Sequence, residues 1–141
     1  AMDPPWLQNQ IKNYDNLMGG FLPRKDPGTP KMMMDLFKAG ATITAGTDEP
    51  EGMFLHSEME TYARYGMKPY DILRTATVNT AAMLNLDAGS IEPGKLADIV
   101  LVKGNPLDDI HNTFNVQHVI FNGRHFTIED LISGKAKNAP R

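Results

Sequence analysis

Six small residues limit the fold more than any other stretch of this chain: Ala41, Thr42, Ile43, Thr44, Ala45 and Gly46. Short, β-branched and without a charge, they read as a buried strand with tight neighbours. A buried strand needs hydrogen-bonding neighbours on its edges. The sequence after Gly46 turns directly through Thr47, Asp48, Glu49, Pro50, Glu51 and Gly52 into a helical pattern. In α/β architectures the C-terminal ends of parallel strands face the active site. Asp48 therefore takes the position where a carboxylate can bind a metal or accept a proton from water. A helix cap is the ordinary use of an Asp in such a turn.

On either side of this strand the pattern is helical. Residues 29–40 read as a helix, with Thr29 as cap, Pro30 in the first turn and Gly40 as stop. Met32, Met33, Leu36 and Phe37 form its apolar stripe. A second helix spans about 53–65, with Leu55, Met59 and Tyr62 on one face and Gly66 at its end. Pro69 opens a third, and a fourth covers about 77–85. On the second helix His56 and Glu60 are spaced i,i+4, with Glu58 nearby. The ordinary reading of these three is a solvated helix face; the functional one makes His56 and Thr47 contacts for a substrate.

After Gly89 the chain changes character. Ile99, Val100, Leu101 and Val102 read as a strand buried on both faces. Residues 116–121 and 124–127 flank Asn122-Gly123, the strongest short signal for a type I′ hairpin. That register puts His118 diagonal to His125 on one face, within reach of each other. His111 falls in a polar loop. A short helix is expected over 128–133. The resulting division is a tag-like stretch at 1–4, an irregular segment at 5–28, helices around one strand at 29–88, strands at 89–133, and a polar tail at 134–141.

Composition narrows the function. A net charge of −3 excludes the broad basic footprint of a nucleic-acid binder. With no cysteine there is no thiolate metal site and no Cys nucleophile. No apolar run approaches the roughly 18 residues of a membrane span. None of the four histidines shares an HxH or HExxH spacing with another.

Taken in order, Ala45-Gly46-Thr47-Asp48, Leu55-His56-Ser57-Glu58, Thr75-Ala76-Thr77-Val78-Asn79-Thr80-Ala81-Ala82, Gly89-Ser90-Ile91-Glu92-Pro93-Gly94-Lys95-Leu96-Ala97-Asp98, Asn105-Pro106-Leu107-Asp108-Asp109-Ile110 and Asn122-Gly123 resemble the amidohydrolase superfamily. The string is similar to its imidazolonepropionase-like and prolidase-like metal-dependent hydrolases. The ending at His125–Leu131 looks most like members fused to a TolB-type β-propeller. The resemblance implies a (β/α)8 barrel with a small β-sandwich built from both chain ends. It implies one or two divalent ions, commonly zinc, at the strand ends, and hydrolysis of amide, peptide or cyclic amide C–N bonds by metal-activated water. Asp48 carries over as metal ligand and as the base for that water. The family's HxH pair, its bridging Lys or Glu and its two later histidines have no counterpart here.

A complete barrel takes at least about 200 residues, and this chain has 141. The expectation is an incomplete barrel: the last strand and its helices plus the C-terminal sandwich strands of a longer hydrolase. Such a piece is expected to be inactive alone and to bind no metal alone, because a catalytic zinc generally needs three protein ligands. Its natural partner is the missing N-terminal barrel portion. Orphaned strand edges predict a homo-oligomer, with strands or whole elements swapped between copies. The alternative is a separately folding, non-catalytic module for assembly or binding.

Overall fold

A computed structural model describes residues 28–46 and 52–133. Helix α1 (Gly28–Lys38) leads into the 41–46 segment, and α2 (Met53–Arg64), α3 (Pro69–Thr75) and α4 (Val78–Met83) follow. Strand β1 (Ile99–Val102), a 3-10 turn (Ile110–Phe114), strands β2 (Val116–Phe121) and β3 (Arg124–Thr127), and helix α5 (Ile128–Ile132) complete the order. Thr47 and Asp48, the tag-like stretch, the tail at 134–141 and all of the 5–28 segment except Gly28 lie outside the described residues.

The helices pack as their spacing predicts, with one adjustment. Helix α2 buries Met59 and Tyr62 and packs Leu55 against the same core. Its end is closed by Gly66 N–H donating to Ala63 O and Met67 N–H donating to Tyr62 O, 2.9 and 3.0 Å. This paired-bond stop brings Met67 back over Tyr62, and both are buried. Pro69 occupies the first turn of α3, where its missing N–H costs nothing, and Ile72 on that helix is 0% exposed. On α1 the inward line is Met33, Met34 and Phe37. Met32 and Leu36 of the expected stripe stay exposed, because Met34, one residue further round the helix, takes the buried place.

The expected strand at 41–46 forms no ladder among the described residues. Ala45 is buried and Ile43 and Thr44 half-buried, but Ala41 and Thr42 are exposed. Small apolar composition fits a buried position, yet strand pairing requires a neighbour. The Ala45 N–H finds instead the Thr75 carbonyl at the end of α3, 2.9 Å away.

The second half is a three-stranded antiparallel sheet in the order β1-β2-β3. Ile99 pairs with Ile120 and Leu101 with His118. On the other side Ile120 pairs with His125 and His118 with Thr127. Asn122 and Gly123 adopt φ of 49° and 74°, the two positive angles a type I′ turn requires. Asp98 Oδ1 accepts from Asn122 N at 2.6 Å and Ala97 O accepts from Gly123 N at 3.0 Å, which ties the turn to the start of β1. Strand β1 is not buried on both faces: Val100 is 57% exposed and Leu101 45%. The described residues supply no second layer to cover it. Helix α5 starts in a capping box, Thr127 Oγ1 accepting from Asp130 N and Asp130 Oδ2 from Thr127 N.

Two features join the halves. Gly89 (φ +83°) lies so close to Thr77 that a Cβ there would stand 2.8 Å from its backbone carbonyl. Only glycine allows that approach. Ile110, from the 3-10 turn between the strands, is 6% exposed and belongs to the same core as Met34, Met59, Tyr62, Met67 and Ile72 of the helical half.

Candidate functional site

The segment that precedes Thr47 and Asp48 is fixed by two side chains and one backbone carbonyl. Asn79 Nδ2 donates to Ile43 O at 2.8 Å. Thr75 O, which also accepts from Thr80 Oγ1 at 2.7 Å, takes the Ala45 N–H. Glu58 Oε2 accepts from Gly46 N at 3.0 Å. Tyr62, one turn further along α2, donates its hydroxyl to Glu58 Oε1. Burial first, and then this carboxylate, push the Tyr62 phenol well above its usual value. A neutral phenol at all ordinary pH keeps donating, so Glu58 stays aimed at Gly46. The sequence placed Glu58 near His56 and Glu60, ordinarily a solvated helix face; its bond to Gly46 was not legible, because it depends on how α2 docks.

His56 lies two residues before Glu58, about 200° around the helix. Its Nδ1 meets Thr113 Oγ1 at 3.0 Å, and its ring packs on Phe114 with centroids 4.4 Å apart. The Thr113 hydroxyl donates to Ile110 O at 2.8 Å, so its oxygen is the acceptor and His56 carries its proton on Nδ1. Burial holds the His56 imidazole below its usual pKa; the Glu60 charge opposes this and His111 adds to it. His111 faces solvent, as its polar loop suggested, but its Nδ1 donates to Glu60 Oε1 at 2.6 Å. The structure thus brings His56, Glu60, His111 and Phe114 together. Glu58 occupies the opposite side of the same helix.

Among the described residues no three His, Asp or Glu side chains are placed to hold one metal ion. The described part therefore does not by itself fit the divalent centre that the resemblance implies. No described helix is long and apolar enough to cross a membrane.

Residues 24–125 match the amidohydrolase family. The chain belongs to that family. It is 44% identical over 59 residues to an adenine deaminase of Methanosphaera stadtmanae, covering 42% of this chain and 10% of that protein. It is 32% identical over 91 residues to an imidazolonepropionase of Caldanaerobacter subterraneus, covering 60% of this chain and 22% of that protein. Among solved structures, a Xaa-Pro dipeptidase with bound methionine in its active site superposes with a TM-score of 0.67 at 33% identity, over 72% of this chain and 26% of that one. The chain spans about a tenth to a quarter of the length of these relatives.

Proposed function

We propose that this chain is the C-terminal part of a hydrolase acting on C–N bonds, whose reaction is carried at the end of the 41–46 segment by Asp48. The observation that supports this most is the fixing of Ile43, Ala45 and Gly46 by Asn79, Thr75 and Glu58. A chain end held by three separate groups suits a residue that must be placed to within a fraction of an ångström. The relatives' names, a deaminase and a dipeptidase among them, point to the same bond class.

In this reading segment 41–46 is the last strand of a (β/α)8 barrel, and the N-terminal part of the longer protein supplies its neighbours. Strands β1 to β3 belong to a small sandwich whose other strands come from that part, which suits the exposure of Val100 and Phe121. Asp48 accepts the proton of the attacking water and returns it to the leaving nitrogen. Thr47 contacts the substrate beside it. His56 faces Thr113 and Phe114 on the side of α2 opposite Glu58, which is at odds with the substrate contact expected of it. Any zinc or other divalent ion would be held mainly by residues outside the described part, with Asp48 as one ligand.

The test is Asp48→Asn in the longer protein, assayed on dipeptides and cyclic amides with metal content measured in parallel. Turnover is expected to fall by about 100-fold or more, the usual cost of losing a general base. Near-normal turnover in a metal-replete Asn variant overturns the assignment.

A further inference from the structure

On the hairpin, well separated in sequence from Asp48, two imidazoles face each other. His118 Nδ1 and His125 Nε2 are 2.9 Å apart, and both side chains are exposed. The rings are tilted by 39° with centroids 4.9 Å apart, so they meet through their nitrogen edges and not through their faces. The pairing is built into the strands. Asn122-Gly123 fixes the turn, Ile120 stands opposite His125, and His118 stands opposite Thr127 on the same face of the sheet. A one-residue slip would put either ring on the other face.

We propose that His118 and His125 form a two-point chelate for a divalent late first-row metal ion, of the copper(II) or nickel(II) type, separate from any catalytic ion. Two imidazole nitrogens at a metal–nitrogen distance of about 2.0–2.1 Å stand about 2.9 Å apart at a right angle and about 3.3–3.4 Å apart at a tetrahedral angle. The hydrogen-bonded 2.9 Å matches the right-angle edge, so a tetragonal ion needs less separation of the two nitrogens than tetrahedral zinc does. Chelation replaces one imidazole–imidazole hydrogen bond by two metal bonds, the donor ring losing the bridging proton to solvent and taking one up on its other nitrogen. Both rings must rotate to turn their lone pairs toward one point, which their exposure allows, and water would take the remaining positions. Because the register is fixed before the ion arrives, little ordering cost remains.

The test is titration of copper(II) chloride into the 141-residue chain at pH 7.5, followed by calorimetry and electron paramagnetic resonance. One high-affinity copper per chain is expected, with two imidazole nitrogens in its equatorial plane. His118→Gln and His125→Gln are each expected to weaken that site about 100-fold, the effective-concentration advantage of a two-point attachment. His111→Gln is expected to leave it unchanged. Circular dichroism confirms that the exposed-site variants keep the fold. A wild-type spectrum without the two-nitrogen species, or a copper site that survives in both single variants, overturns the proposal.

Discussion

The Glu58 carboxylate accepts the backbone N–H of Gly46 at 3.0 Å, across twelve residues of sequence. It is the last described contact on the chain before Thr47 and Asp48. If Asp48 is the base, as proposed, Glu58 is a positioning residue, since its contact is with the Gly46 backbone. In the longer protein Glu58→Ala is expected to lower kcat about tenfold, the value of one hydrogen bond to a charged group. Glu58→Gln keeps a carbonyl oxygen for Gly46 and is expected to restore most of that loss. Equal activity losses in the two variants, with metal content intact, would count against the positioning role.

His56 makes the stability of the chain depend on pH. Its folded pKa is depressed by burial. The unfolded chain therefore binds a proton more readily, and stability rises with pH through that window. The contribution is fully present above the ordinary histidine value of about 6.5 and is lost as pH falls through the lower, folded value. Burial is the main cause of the shift; the Glu60 charge opposes it and His111 adds to it. Urea denaturation between pH 7.5 and 5 is expected to show falling stability, with a shallower fall in His56→Gln. Identical slopes for the two proteins would contradict the assignment.

Ile110 tests how far the strand half stabilises the helical half. It is 6% exposed within the shared core. Ile110→Ala is expected to cost about 2–4 kcal/mol, from lost burial and the cavity left behind. Ile91, 83% exposed, is the control, and Ile91→Ala is expected to change stability by less than about 0.5 kcal/mol. Chemical denaturation followed by circular dichroism measures both. Similar small losses would mean that the two halves do not share a core.

The isolated chain is expected to associate. Val100, Phe121, Met32 and Leu36 are exposed apolar side chains, and segment 41–46 carries backbone groups without a ladder. Light scattering across micromolar concentrations is expected to give a dimer or larger species. A stable 15.6 kDa monomer throughout would favour the self-contained binding module over the orphaned hydrolase piece.

Local signals in the sequence specified what local physics decides. Pro69, Gly66 and the Asn122-Gly123 turn set element ends, and the hairpin register brought His118 to His125 as expected. What needed docking was not legible. Nothing near Glu58 announces Gly46, and nothing near Thr113 announces His56, because both contacts arise from the way α2 settles between distant segments. The runs at 41–46 and 99–102 read as buried from composition, but in the first only Ala45 is buried, and in the second Val100 and Leu101 are exposed. Composition could not tell whether the described residues would supply a surface to cover them.

The placement of Ile110 bears on when the molecule can fold during its synthesis. Helices α1 to α4 leave the ribosome first, with the centre of their core still open. The side chain that fills it is made 21 residues after Gly89, a delay on the order of seconds at ordinary translation rates. For that interval the core that holds Met34, Met59 and Ile72 lacks the Ile110 side chain. Its maturation is timed by a residue from the half that follows.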